Sequence, residues 1–118
     1  IMEFSSVKII ALAVTDFERA KSFYGNTLGL VPDTEHGMEG AFVLGETILL
    51  LKPTGEWYGR PTDSLNARLT LEVKDARATE RALRAQGVTI SDPVAVYDGY
   101  PVGAFLDSEG NKLWFCSD

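Results

Sequence analysis

A pattern of strand, capped helix and glycine occurs twice in this chain, and it constrains the fold more than any other feature. In the first copy the apolar run IIALAV stops before Asp16, a helix with an apolar stripe follows, and Gly29 ends it. In the second copy the strand LTLEV precedes Asp75, and the next helix ends at Gly87. The two aspartates lie 59 positions apart and the two glycines 58. This regular spacing predicts two copies of one small module.

Each copy continues into the same order of elements, βαβββ. We expect the first module over residues 7–52 and the second over residues 66–118, with residues 53–65, rich in proline and glycine, as the linker. The expected helices cover residues 17–26 and 76–86, and the expected strands cover residues 7–14, 30–33, 41–44, 47–52, 67–73, 88–90, 102–106 and 112–116. Residues 95–97 are expected to extend or follow the strand over residues 88–90. Because the apolar face of a sheet needs a covering layer, we predict one α+β domain over residues 1–118 in which the two modules close on each other.

The charge of the chain excludes several classes of partner. The sequence has 11 Lys and Arg against 17 Asp and Glu, a net charge of −6, so we expect no nucleic-acid partner, since phosphates require a basic face. No apolar run approaches the length of a bilayer span and no signal peptide is recognisable, so we expect no membrane partner. The single cysteine, Cys116, excludes an internal disulfide and suits a reducing cytoplasm, where we expect the protein.

Two stretches resemble the vicinal oxygen chelate superfamily, which includes glyoxalases, bleomycin-resistance-type binding proteins and extradiol dioxygenases. Residues 11–24, ALAVTDFERAKSFY, followed by Leu28-Gly29-Leu30, resemble its opening. Residues 107–115, DSEGNKLWF, resemble its closing turn and strand, with Ser108 where proline is usual. The resemblance spans nearly the whole chain and implies an incomplete eight-stranded barrel with the helices outside. It implies no single activity, because this fold carries several unrelated ones.

The resemblance also locates the positions where metal-dependent members carry their ligands. A histidine is usual seven residues before each helix cap, which points to Ile9 and Arg68, and a glutamate is usual in each closing strand, which points, within one or two positions, to Leu49 and Trp114. None of these four side chains binds a divalent cation. We therefore expect no metal, no other cofactor and no inherited catalytic residue. His36, the one histidine, has acidic neighbours in a turn, and we interpret it as part of a solvated loop.

A pocket cupped by the curved sheet is a further implication of the resemblance, with the former ligand positions facing into it. Ile9, Leu49 and Trp114 make such a pocket apolar and aromatic, which suits an organic ligand. Arg68, Thr70 and Glu72 share one face of a strand and add a polar wall, unless the charges pair with other residues or with solvent. Four loop aromatics are candidates either to contact the ligand or to plug the core: Trp57, Tyr58, Tyr97 and Tyr100.

Three functions from different classes remain open at this point. We favour a metal-free protein that sequesters a small aromatic or cationic compound, similar to the bleomycin-resistance type. The alternative is an enzyme of the same superfamily, a lyase, isomerase or dioxygenase, either metal-dependent through unusual ligands or metal-free with Glu72 as the acid-base group. The third is a regulatory module with a vestigial cavity. Because such proteins commonly form dimers, we expect a homodimer with Trp57 or Tyr58 near the subunit boundary.

Overall fold

The chain folds into two compact units, each built around its own four-stranded sheet. The structure is a computed structural model that describes residues 2–3, 5–54 and 69–118. The units are Ile1–Pro61 and Thr62–Asp118. In each, the sheet is mixed and the order of elements is βαβββ, so the α+β class and the two-module architecture are confirmed. No helix in the described part of the chain is long and apolar enough to span a membrane.

The first unit follows the predicted order with small changes in length. Its elements are β1 (Ile9–Val14), α1 (Phe17–Ser22), a π-helical turn (Phe23–Thr27), β2 (Val31–Pro32), β3 (Ala41–Leu44) and β4 (Thr47–Pro53). The strands lie in the order β1-β4-β3-β2, and within this sheet the β1–β4 pair is parallel and the other two pairs are antiparallel. The parallel pair forms because α1 returns the chain across the sheet before the β3–β4 hairpin begins.

The first helix is not α-helical to its end, which corrects the expected helix over residues 17–26. It begins as predicted, because the Asp16 side chain accepts the Arg19 N–H at 3.0 Å. From Phe23 onward the turns widen, and the Leu28 N–H donates to the Phe23 carbonyl at 2.9 Å. Tyr24 is fully buried there, with its ring centroid 6.2 Å from that of Phe42. The helix therefore covers the face of the sheet that bears Phe42.

The second unit repeats the arrangement of the first. Its elements are β5 (Thr70–Glu72), α2 (Ala76–Ala85), β6 (Ile90–Tyr97), β7 (Tyr100–Leu106) and β8 (Lys112–Cys116). The strands lie in the order β5-β8-β7-β6, with β5 and β8 parallel. Asp75 caps α2 as predicted, accepting the Ala78 N–H at 3.1 Å. Each element therefore occupies the same place as its counterpart in the first unit.

One long hairpin replaces the short strand expected over residues 88–90. Asp98 and Gly99 both have positive φ angles, 50° and 85°, as a two-residue type I′ turn requires. The turn joins β6 to β7 and places Tyr97 opposite Tyr100. The register of β6 shifts twice between Ile90 and Ala95, and the Glu80 carboxylate of α2 accepts the Val94 N–H of this irregular stretch at 2.7 Å. The helix thus holds the strand where regular pairing fails.

One face of each sheet carries the largest buried side chains, and the opposite face, which we call the open face, mixes buried residues with exposed ones. In the first unit Val14, Leu49 and Leu51 lie on the buried face with Phe42. In the second, the buried face carries Phe105, Leu113 and Phe115, and the rings of the two phenylalanines pack 6.1 Å apart. Alternation along the strands turns the intervening side chains to the opposite face. These open faces are where a ligand can reach the sheets.

Candidate functional site

The open face of the second sheet brings together three of the predicted binding residues. Cross-strand register places Thr70 opposite Trp114 and Glu72 opposite Cys116. Paired residues of adjacent strands point to the same side of a sheet, so Thr70, Glu72 and Trp114 share one face. Thr70 and Glu72 are exposed, and Trp114 is half-buried. The period-two pattern of the sequence had placed Thr70 and Glu72 on one side, as the structure does.

A cavity of about 550 Å³ opens at the end of this face. It is lined by Thr70, Glu72, Val73, Lys74, Tyr100, Cys116, Ser117 and Asp118. Two carboxyl-bearing residues, Glu72 and Asp118, thus lie on the wall with one amine, Lys74. Its volume falls within the range typical of sites for small organic ligands.

A buried serine fixes the floor of this cavity. Ser117 follows directly after β8, and its Oγ accepts the N–H of Ala76, the first residue of α2, at 2.9 Å. The first N–H groups of a helix lack partners within the helix, so this hydrogen bond satisfies one of them and ties α2 to β8. Ser117 also lines the cavity, and it was not foreseen from the sequence because its hydrogen-bond partner lies 41 positions away.

Lys112 covers part of the indole surface of Trp114. The Lys112 Nζ lies 4.6 Å from the centroid of the Trp114 ring and 2.6 Å from Oδ2 of Asp92. An ammonium over an indole face is a favourable cation–π contact, and Asp92 neutralises its charge. A ligand that stacks on Trp114 must therefore use the remaining ring surface or displace Lys112. The spacing i, i+2 along β8 was the signal in the sequence that these side chains share a face.

Tyr97 and Tyr100 form a cross-strand pair beside the type I′ turn. Both side chains are exposed, as is the neighbouring Val96. Tyr100 also lines the cavity of the second unit, so it is a wall residue, whereas Tyr97 lies on the edge strand β6. Trp57, Tyr58 and Arg68, the other predicted binding residues of the middle of the chain, lie outside the described residues.

In the first unit the structure separates the two residues that were expected to face the ligand together. Ile9 is 42% exposed on the open face, whereas Leu49 is 0% exposed on the face covered by the helix. The parallel register pairs Ile9 with Ile48. Placing Leu49 beside Ile9 was therefore wrong by one residue, and in a strand one residue reverses the face. Ile48 takes the expected place.

A second cavity, of about 270 Å³, opens on the first unit. It is lined by Lys8, Ile9, Asp33, Glu35, His36, Met38, Val43, Gly45, Glu46 and Ile48. His36 was expected to lie in a solvated loop, so this cavity was not foreseen from the sequence. The missed signal is that exposed aliphatic residues of three strands share the open face next to the turn.

The turn at the mouth of this cavity is organised by Asp33. Its carboxylate lies 2.9 Å from Nδ1 of His36 and accepts the N–H groups of Glu35 and His36 at 3.4 and 3.3 Å. Burial of the Asp33 side chain, which is 3% exposed, raises its pKa, but these hydrogen bonds outweigh burial and hold the pKa below its ordinary value. Asp33 is therefore a carboxylate at neutral pH.

Metal-ligating atoms of the described residues come together at one place. Asp33, Glu35 and His36 each offer one ligand atom, and these atoms lie within 4.8 Å of one another. Three protein ligands of this kind fit a catalytic zinc site, although Asp33 Oδ2 already contacts His36. At the inherited positions, Ile9, Leu49 and Trp114 have no ligand atom suited to a divalent ion, and Ile48 has none either.

The structure thus belongs to the class of α+β proteins built from two βαβββ modules. In each module a helix covers one face of the sheet and leaves the second face open. The sequence profile of the Glyoxalase/Bleomycin resistance protein/Dioxygenase superfamily matches residues 6–115. The chain belongs to this superfamily, as its resemblance to vicinal oxygen chelate proteins predicted. A comparison with curated protein sequences gives no significant match.

Solved structures share this fold at low sequence identity. TnmS3, an antibiotic binding protein from Streptomyces sp. CB03234, is 23% identical over 99% of this chain and 98% of its own, with a TM-score of 0.78. Lactoylglutathione lyase from Agrobacterium tumefaciens is 16% identical over 98% and 96%, with a TM-score of 0.76. A superfamily member from Sphaerobacter thermophilus DSM 20745 is 23% identical over 98% of both chains, with a TM-score of 0.76. The fold therefore occurs both in an antibiotic binding protein and in a lyase.

Proposed function

We propose that this protein binds a small aromatic or cationic organic compound without a metal, on the open face of its second sheet. The observation that carries the proposal is the cavity lined by Thr70, Glu72 and Tyr100 on the sheet face shared with Trp114. It combines an aromatic surface, a carboxylate and space for an organic molecule. The similarity to an antibiotic binding protein supports a planar or cationic antibiotic, including the bleomycin type, as the class of ligand.

The chemistry of the wall supports this ligand class. Glu72 is exposed, so its carboxylate is solvated and available to an ammonium group of the ligand. Tyr100 and Trp114 offer ring surface, and an aromatic contact contributes about 0.5–1.5 kcal/mol beyond area burial. Together with burial of apolar ligand surface, these contacts are consistent with a micromolar dissociation constant, about 8 kcal/mol.

Tryptophan fluorescence tests the proposal directly. The chain has two tryptophans, so a Trp57→Phe background leaves Trp114 as the reporter. Titration with a panel of planar and cationic antibiotics is expected to change its emission for at least one compound. Glu72→Gln is expected to weaken a cationic ligand about two- to five-fold, whereas Glu3→Gln, which removes the same charge outside the cavity, leaves affinity unchanged.

Two outcomes of this experiment would contradict the proposal. If no compound of the panel changes Trp114 emission, or if binding is the same after Trp114→Ala measured by calorimetry, the second sheet is not the ligand face. A regulatory module with a vestigial cavity is then the better account.

A metal-dependent enzyme is the second candidate, and one observation favours it. Asp33, Glu35 and His36 present ligand atoms within 4.8 Å of one another, and a lyase shares the fold. Calorimetric titration with Zn²⁺ or Ni²⁺ separates the two proposals. Stoichiometric, tight binding that His36→Asn abolishes would overturn the metal-free proposal, whereas weak binding unaffected by that substitution would support it.

We also propose that the protein acts as a homodimer. Each sheet has two edge strands whose outer side has no neighbouring strand in the described part of the chain, namely β1 and β2 in the first and β5 and β6 in the second. Unpaired edges are usually protected or used in association. Val96 and Tyr97 on β6 and Tyr100 on β7 add exposed apolar surface beside one of these edges. A two-fold pairing of identical chains covers such surface symmetrically.

A further inference from the structure

An unbroken row of aliphatic side chains crosses the open face of the first sheet. Register pairs Ile9 with Ile48, Ile48 with Val43, and Val43 with Val31, so one residue from each of the four strands lies in the row. Ile9, Val43 and Val31 are exposed, Val31 to 66%. Single exposed aliphatic residues need no explanation, but a contiguous row is typical of a surface that binds something.

Three of the four residues of this row form the floor of the cavity of the first unit. Ile9, Ile48 and Val43 line it together with Met38, and its volume is about 270 Å³. The side chains of the floor are apolar, so an apolar group that covers them displaces water favourably.

The wall of the cavity is anionic. Asp33, Glu35 and Glu46 contribute three carboxylates, and Lys8 contributes one positive charge. The three carboxylates and Lys8 together sum to −2. A ligand that fits this wall carries a positive charge on an apolar body.

We propose that the first unit contains a binding site for small organic ammonium ions, with the apolar body on Ile9, Ile48 and Val43 and the ammonium group toward Glu35 and Glu46. The site consists of residues of the first unit alone and does not depend on the ligand proposed for the second sheet. Amide signals of the two units report on the two proposals separately.

The experiment uses three probes of nearly equal size and different charge: phenethylammonium, 2-phenylethanol and phenylacetate. Amide ¹H–¹⁵N shifts of the full chain are followed during titration. Phenethylammonium is expected to shift Val43, Gly45 and Ile48 with a dissociation constant of about 0.1–1 mM, as for other fragment-sized ligands. The alcohol is expected to bind several-fold more weakly and the anion more weakly still. Of the three probes, only the cation is expected to bind more weakly as the ionic strength is raised.

Charge variants on the wall give effects of opposite sign. Glu35→Gln and Glu46→Gln are each expected to lower the affinity for phenethylammonium about two- to five-fold, and Lys8→Gln is expected to raise that affinity by a similar factor. Glu3→Gln, outside the cavity, serves as the matched control and leaves affinity unchanged. Val43→Thr keeps the branched shape but adds a hydroxyl to the floor, and it is expected to weaken the cation and the alcohol alike.

Three outcomes would overturn the inference. They are equal affinity of the three probes, binding of the cation that the wall variants leave unchanged, and shifts confined to Thr70, Glu72 and Tyr100. The last outcome would remove the first-unit site while supporting the ligand face of the second sheet. Shifts confined to the first unit would support this site whatever the antibiotic titration gives.

Discussion

The hydrogen bond between Glu80 and Val94 offers a quantitative test of how α2 supports β6. The Glu80 carboxylate is 19% exposed and accepts the Val94 N–H at 2.7 Å and the Arg84 Nε–H at 2.9 Å. A hydrogen bond from a backbone N–H to a charged group contributes about 1.5–3 kcal/mol, and an i, i+4 ion pair adds about 0.3–0.5 kcal/mol. Alanine has a higher helix propensity than glutamate, which offsets a few tenths of a kcal/mol of this loss. Glu80→Ala is therefore expected to cost about 2 kcal/mol of unfolding free energy.

Urea denaturation followed by circular dichroism measures this cost, and the variant is expected to unfold at lower urea with little change in slope. Arg84→Ala serves as the control because it removes the ion pair and leaves the Val94 contact in place, so it is expected to cost no more than about 0.5 kcal/mol. If Glu80→Ala costs as little as Arg84→Ala, the carboxylate does not hold the irregular stretch of β6 and the reasoning fails.

The pH dependence of the same variant has a defined sign. The Val94 N–H and then Arg84 lower the pKa of Glu80 in the folded protein, against the opposing effect of burial. A carboxyl whose pKa is lower in the folded state binds fewer protons there, so its contribution is present above the unfolded pKa, about 4.3. It is lost as the pH falls through the folded value. The difference between wild type and Glu80→Ala is therefore expected to be constant near pH 7 and to shrink below about pH 4.

Two further predictions concern the first unit and the assembly. Leu49→Ala is expected to cost about 2–5 kcal/mol because it opens a cavity in a fully buried site, whereas Ile48→Ala, at a half-buried position, costs about 1 kcal/mol; equal costs in chemical denaturation would refute the assignment of faces. Light scattering at micromolar concentration is expected to give the mass of a dimer, about twice 12.9 kDa, and a monomer mass would refute the homodimer.

The sequence was informative wherever a local signal determined the structure. Asp16 and Asp75 cap their helices as predicted, because a cap depends on residues three positions apart. The closing turn also follows local chemistry: the Asp107 carboxylate accepts the N–H groups of Glu109 and Asn111, both at 2.8 Å. The repeat of these local signals was sufficient to predict two modules of the same order.

The faces of the apolar strands were less accessible to sequence analysis. Thr70 and Glu72 alternate with apolar residues, so their face was predictable. β4 contains the run Ile48-Leu49-Leu50-Leu51, in which no polar residue marks the outer side. Without a polar residue to identify the outer side, the register is ambiguous by one position. A shift of one position turns each side chain of the strand from the core to the open face. Leu49 was assigned to the wrong face for this reason.

The cavity of the first unit was also unforeseen because it depends on strand register. Its chemistry differs from that of the cavity of the second unit. Its floor joins β1, β3 and β4 with the turn that carries Asp33 and His36, and this juxtaposition depends on cross-strand register. In the second unit the corresponding face carries polar and aromatic side chains, Thr70, Glu72 and Trp114. The two units thus share the order of elements, while one open face has an aliphatic floor with carboxylates and the other an indole with a carboxylate. Because the chemistry of the two faces differs, each of the two proposed sites requires its own titration.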